Sequence, residues 1–563
     1  MFHYTALLGT LALSCVAGHH LPSDSAAPLV HLEYGTFAGA SANSTDSFLG
    51  IPFAQPPVGN LRFRHPVPPK FSPGVRNATS YSNACSQQSV VTTGQSIPNI
   101  PGFDFSSMEW SLGVNASEDC LYLNVIRPSG ISESAKLPVV VWIYGGGFSS
   151  GSTSIYSGVP LVERSVALGE PVIYVSMNYR LNAFGFLASK EVKEAGVGNL
   201  GLHDQRFALQ WVQRHIPLFG GDPSKVILWG ESAGAISVAD HIVTNDGDNA
   251  GLFRGAVLQS GFAWPTTDIE VGQSVYDGLV ASTNCTAARS TLDCLRAAPY
   301  DALMRAVNAT PADFGYTSLN LTWVPRVDGG FLQRTPRESL EAGKYSKVPV
   351  IGADCDDEGT LFSLFSTNVT TNQTFVEYVR DVYLPGANDT ELAQIAAAYP
   401  GDPSAGSPFD TGAANAVTPE FKRIAAFQGD FGFQAPRRLM LSVLSQTAPA
   451  WAYLFKRAKD TAVIGSYHGS DLQEFYPATA ATDYVGIDAL VNFAYHLDPN
   501  HPPHANVSSV LANVTWPQWK IGNGTAPPQL LSFENNTDLA IRPDDYREAA
   551  MNLLRDLQAK WGF

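Results

Sequence analysis

The chain has 563 residues, 45% hydrophobic content and a formal net charge of −16. Its length can bury a large core, and its acidity, with no Lys/Arg cluster, argues against nucleic acid or an anionic membrane surface as partner. No internal repeat, heptad or low-complexity block divides it, so loops elaborated on one α/β unit account for the size better than several domains do.

The first element is an apolar run, Thr5 to Val16, that ends in small residues at Ala17-Gly18. It is too short to span a bilayer and reads as a secretory signal over residues 1–18, which leaves 19–563 as the mature domain. Thirteen Asn-x-Ser/Thr sequons, from Asn43 to Asn535, suit a secreted glycoprotein. No later apolar run is long enough for a stable membrane span, and 544–563 reads as an amphipathic helix.

Of six cysteines, Cys15 leaves with the signal. Spacing suggests that Cys85 and Cys120 bracket a 34-residue excursion and that Cys285 and Cys294 close a short loop, which leaves Cys355 as a free thiol acting as a small buried hydrophobe. Short β-branched runs predict strands over 138–144, 172–177, 226–229, 256–259, 348–352 and 451–455, and helical spacing appears over 204–216. Strands alternating with helices predict an α/β fold with a large, mostly parallel central sheet covered on both faces. Ligands gather at the carboxyl ends of such strands.

The chemistry lies at those ends. Gly230-Glu231-Ser232-Ala233-Gly234 stands between the 226–229 strand and an apolar helical run, as a nucleophile elbow requires. Gly147-Phe148-Ser149-Ser150-Gly151 fits the same pattern but leads into the polar run 152–157, so Ser149 is a decoy. The first predicted strand runs into Gly145-Gly146-Gly147-Phe148, whose amides, with that of Ala233, can stabilise an oxyanion. For the base, His468 in a polar loop before Gly469 competes with His203 at a helix start. For the orienting acid, Asp354, Asp356, Asp357 and Glu358 remain open, and four clustered acids also fit a solvated loop. No Cys/His cluster has metal-ligand spacing and no glycine loop resembles a nucleotide fingerprint, so neither metal nor cofactor is implied.

Together these motifs resemble the type-B carboxylesterase/lipase family, the cholinesterase-like branch of the α/β-hydrolases. Gly50-Ile51-Pro52-Phe53-Ala54, Ser117-Glu118-Asp119-Cys120-Leu121-Tyr122-Leu123-Asn124, Asn199 to Gln205 and Gln259-Ser260-Gly261 extend the likeness over almost the whole mature chain. The resemblance implies Ser232 as nucleophile, Glu358 as acid and His468 as base, with Gly146, Gly147 and Ala233 as oxyanion donors and Phe148 and Trp110 as substrate contacts. It supports both cysteine pairs and makes the Cys85–Cys120 excursion a lid.

That excursion carries Ile97, Ile100, Phe103, Phe105, Met108, Trp110 and Leu112, an apolar face for an acyl chain, while Trp110 stands where cholinesterases bind a quaternary ammonium. The expectation is a secreted serine esterase or lipase acting on hydrophobic esters, long-chain or sterol esters among them, at a lipid–water interface. Short-chain cholinesterase-like hydrolysis and a non-catalytic adhesion or carrier role are the alternatives. The filled triad positions weigh against the last.

Overall fold

In the computed structural model the described residues are 27–91, 99–100, 103–104, 113–477, 483–500, 507–522, 526–535 and 537–561. Their strands in chain order are β1 (Leu29–Leu32), β2 (Gly35–Ala38), β3 (Ala40–Ala42), β4 (Thr45–Pro52), β5 (Val75–Asn77), β6 (Tyr122–Pro128), β7 (Leu137–Ile143), β8 (Ile173–Met177), β9 (Gly221–Glu231), β10 (Gly255–Gln259), β11 (Val350–Cys355), β12 (Ala450–Phe455), β13 (Gln529–Phe533) and β14 (Leu539–Pro543). The 11-stranded sheet has the order β14-β13-β12-β11-β10-β9-β7-β8-β6-β4-β3, and β1, β2 and β5 form a small separate sheet.

From β8 through β7, β9, β10, β11 and β12 to β13 the pairing is parallel, with antiparallel strands at both edges. The central strands are buried on both faces, and β7, β8, β10, β11 and β12 have no residue open to solvent. A strand covered on both sides needs continuous apolar sequence, which is why these were the runs visible in the chain. The edges β3 and β14 are short and largely exposed, and their sequences carry no such signal.

One predicted boundary shifts in an instructive way. The run expected over 348–352 is the strand Val350–Cys355, so Asp354 belongs to the sheet and not to a following loop. A carboxylate reads as a strand breaker in sequence. Here Arg437 Nε donates to Asp354 Oδ2 at 2.8 Å, and a paired charge can be buried.

The apolar core is one cluster from Val30 to Leu557. Helix Leu200–His215 matches the predicted helical spacing, and Glu548–Trp561 turns Ala550, Met551, Leu554 and Leu557 inward. Both expected disulfides are present, Cys85–Cys120 with Cα atoms 4.9 Å apart and Cys285–Cys294 at 5.6 Å. Each stabilises by about 2–4 kcal/mol, largely by constraining the unfolded chain. Cys355 is free and buried.

Candidate active site

Strand β9 ends at Glu231 and helix Ala233–Val243 begins at once, which leaves Ser232 alone to make the turn. Its backbone is forced to φ 53° and ψ −126°, a region costly for any residue with a Cβ. Two glycines make the turn sterically feasible. A Cβ on Gly234 would stand 2.0 Å from the Ile143 carbonyl oxygen, and one on Gly230 would stand 2.5 Å from Gly234 itself. The Ser232 amide donates to Gln259 O at 2.8 Å, which fastens the elbow to the end of β10.

The glycine turn after β7 packs directly on this elbow. A Cβ on Gly145 would lie 2.5 Å from Glu231 Oε2 and 2.8 Å from Ser232 Cβ. Gly146 and Gly147 take φ of 104° and 58°, left-handed conformations that favour glycine. The amide of Ala233 opens an 11-residue helix, so the helix dipole favours negative charge there. Ser149 lies in the glycine turn and does not form an elbow; its amide donates to Gly146 O at 2.9 Å.

The four acids separate completely, and none is solvated as a loop would have it: Asp354, Asp356, Asp357 and Glu358 are all buried. Asp354 pairs with Arg437, while Asp356 and Asp357 pair with Lys459 Nζ at 2.5 and 2.7 Å. Glu358 alone meets a histidine, its Oε2 2.6 Å from His468 Nδ1. The backbone carries the two together, because Asp357 N–H donates to Ser466 O at 2.9 Å and Ser466 N–H donates back to Asp357 Oδ2 at 2.8 Å.

Glu358 Oε1 also accepts from Ser260 Oγ and the Cys355 amide, both at 2.6 Å. Burial pushes its carboxyl up, and those two donors oppose the shift. A second carboxyl, Glu231, faces the other side of the ring, with Oε1 3.4 Å from His468 Nε2. Burial pushes it up to about 8, with His468 pulling the other way. Glu358 gathers three donors, which favour its charged form, and Glu231 has none comparable.

His468 is buried, and burial lowers its basicity against the opposing pull of Glu231 and Asp471. A neutral imidazole can accept a proton. Its ring is flanked by Phe433, with centroids 4.6 Å apart, and by Phe362 at 5.2 Å. Phe433 comes from a π-helical turn, Asp430–Gln434, a local widening often found at functional sites. Gly469 at φ 79° leaves room for Glu231 Oε1, which would stand 3.2 Å from a Cβ there.

His203, the competing histidine, lies in helix Leu200–His215 edge-on to His65 at 4.3 Å and to Phe331 at 5.1 Å, a packing role. The ring of Phe148 is wholly buried against Phe186 at 4.8 Å, so in this state it packs into the core. Trp110, with Ile97, Phe105, Met108 and Leu112, lies outside the described residues. Sequence reasoning gave no role to Glu231 or Ser260, although both stand in motifs it singled out, and it missed Phe362 and Phe433. The signal for Glu231 was its place beside Ser232 and that for Ser260 its place in Gln259-Ser260-Gly261, while the two rings are brought in by folding.

The arrangement joins a serine on a strained turn, a carboxylate-bound histidine and a glycine turn rich in amides, the equipment of acyl transfer. A model of the carboxylesterase family matches residues 26–550, and the chain belongs to that family: it is a carboxylic ester hydrolase with the α/β-hydrolase fold. Lipase 4 of Diutina rugosa is 42% identical over 94% of this chain and 96% of its own length. A secreted triacylglycerol lipase of Gibberella zeae is 40% identical over 91% of this chain and 87% of its own. The crystal structure of Aspergillus niger EstA superposes with a TM-score of 0.79 at 28% identity, covering 95% of this chain and 99% of that one.

Proposed function

We propose that this enzyme is a secreted serine lipase or carboxylesterase for hydrophobic esters, with Ser232 as nucleophile, His468 as general base and Glu358 as the carboxylate that orients it. The observation that carries this reading is the 2.6 Å contact of Glu358 Oε2 with His468 Nδ1, made beside the strained turn of Ser232. Nδ1–H donates to Glu358, so Nε2, on the side of the ring that faces Glu231, is the nitrogen that takes the Ser232 proton as the hydroxyl attacks the ester carbonyl. The amides of Gly146, Gly147 and Ala233 receive the oxyanion, and His468 returns the proton to the leaving alcohol. Water then hydrolyses the acyl-enzyme by the same route in reverse.

The preference for hydrophobic acyl groups is supported by the wall beside His468. Phe362 and Phe433 stack at 5.8 Å, Phe314 stacks on Phe362 at 5.8 Å, and Trp264 stands edge-on to Phe433 at 6.1 Å. Such a wall gains from each methylene it covers, about 0.8 kcal/mol for a buried CH2. The Cys85–Cys120 excursion is read as a lid, as the family resemblance implies. The lipase names of the relatives support a lipid substrate, and the word "secreted" in the name of the Gibberella zeae lipase supports export, together with the signal-like residues 1–18. Residues 19–563 are read as one catalytic domain, which accords with the continuity of the core.

Initial rates on p-nitrophenyl esters from acetyl to palmitoyl, below and above substrate aggregation, test the substrate class. We expect a maximum at long chains with a jump in rate once the substrate aggregates. A maximum at acetyl to butyryl without that jump would make this a soluble short-chain esterase.

A pH dependence follows from His468. Burial holds its pKa below the usual histidine value, so the base is neutral through the neutral range and kcat/KM falls only as the solution becomes acidic enough to protonate it. The acid limb should therefore lie below about pH 6.5. A rate unchanged through the whole histidine range would exclude His468 as the base.

A further inference from the structure

Asp313 is buried beside the glycine turn, and the proposed mechanism gives it no part. A Cβ on Gly147 would meet Asp313 Oδ2 at 2.1 Å, so the carboxyl stands within about 4 Å of the Gly147 Cα. Ser149 links the two groups: its Oγ lies 3.2 Å from Asp313 Oδ1 and 3.1 Å from Gly147 O. That hydroxyl has one proton to donate and two acceptors competing for it. The serine that imitates a nucleophile in the sequence is thus a tie between a buried acid and the turn.

We infer that Asp313, acting through Ser149 and through its own charge, sets the oxyanion turn, so that ester hydrolysis runs at full rate while its carboxyl is neutral and slows when it is ionised. The inference rests on the proposed role of Gly146 and Gly147 as oxyanion donors. A charged acceptor draws the Ser149 proton more strongly than a carbonyl does, so ionisation takes the tie away from Gly147. It also sets a fixed negative charge a few ångströms from the place where the reaction develops another, in a site of low effective dielectric. Asp313 is accordingly a positioning residue.

The surroundings supply no counter-charge among the described residues. What the carboxyl itself meets is the glycine turn, at Gly147 and at the Ser149 hydroxyl, and the next residue, Phe314, donates its amide to the Val90 carbonyl. Burial pushes the Asp313 carboxyl up to about 7, and the Ser149 hydroxyl is what opposes it. The group therefore changes charge in the range where His468 is already neutral.

The test is kcat/KM for p-nitrophenyl butyrate from about pH 5 to 9 at fixed ionic strength, with the full chain as wild type, Asp313→Asn, Ser149→Ala and, as blank, Ser232→Ala. The wild type should lose on the order of tenfold or more of its rate on the alkaline side, and Asp313→Asn should lose that limb. Ser149→Ala keeps the carboxyl but no longer favours its charged form, so its limb should move to higher pH; this second variant serves if Asp313→Asn does not fold. An alkaline limb identical in wild type and Asp313→Asn, or unmoved in Ser149→Ala, would overturn the inference. If the Ser232→Ala blank itself hydrolyses the ester, the proposed site fails; if the blank is inactive and the limbs coincide, only the role of Asp313 fails.

Discussion

Replacing Ser232 with alanine is expected to lower kcat for a good ester by about 10⁵-fold or more, with KM little changed. The acyl-enzyme cannot form without the hydroxyl, and the elbow admits no substitute: Glu231 and Ala233 flank the position, and the decoy Ser149 is tied into the glycine turn. What remains is the acceleration that oxyanion donors and binding give a direct attack by water, about 10³–10⁴ over the uncatalysed reaction. Stability should hold, since alanine keeps the Cβ and the backbone strain with it. Ser232→Gly should be equally inactive yet more stable by about 1 kcal/mol, because φ 53° with ψ −126° costs a glycine little. Initial rates and urea midpoints on the three proteins check both statements; ordinary turnover in Ser232→Ala on every ester tested would end the serine mechanism.

The largest effect on stability should come from Arg437→Met, expected to cost about 3–5 kcal/mol. Arg437 is fully buried and joins Asp354 on β11 to Asp544 beyond β14, with Nη1 2.7 Å from Asp544 Oδ2 and Nε 2.8 Å from Asp354 Oδ2. Arg438 and Trp519 also donate to Asp544, at 2.9 and 2.7 Å. The attraction of a buried pair does little more than offset desolvation; removing one partner leaves a carboxylate in the interior without its cation. The urea midpoint should fall at near-constant slope.

Linkage adds a sign. Arg437 and Arg438 hold Asp544 well below the usual carboxylate range against the opposing effect of burial. Its contribution is therefore present above the unfolded carboxylate value, near pH 4, and is lost as the pH falls through the lower folded value. Wild type should lose stability in strong acid more steeply than Arg437→Met, and equal stability of the two proteins at neutral pH would remove the cluster from the account. Asp354 is also four residues from Glu358 along the chain, so, with Glu358 in its proposed role, loss of Arg437 should lower kcat.

Much of this molecule was legible in one dimension. All six predicted strands exist, since each is a continuous apolar run covered on both faces by helices or loops. The Ser232 elbow was legible because its glycines are obligatory at fixed offsets: a Cβ at either would collide with backbone within 2.5 Å. Both cysteine pairs followed from spacing. The edge strands β3 and β14 were not legible, since an exposed three- or five-residue strand imposes no pattern on its sequence.

Local sequence determined the turn at Ser232 and the glycine turn, each set by glycines a few residues apart, while continuous apolar runs marked the strands of the parallel core and spacings of 9 and 35 residues suggested the cysteine pairs. Local pattern left Glu358 open against Asp354, Asp356 and Asp357, and His468 against His203; in the sequence only the family resemblance chose between them, and the tertiary structure supplies the contacts that distinguish them. Those choices depend on cations and rings contributed from far along the chain: Arg437 and Lys459 neutralise the other acids, Glu358 meets His468 across 110 residues, and His65 and Phe331 enclose His203. The partner of a buried charge is decided by which residues the sheet brings together, and no local pattern in the chain encodes that encounter.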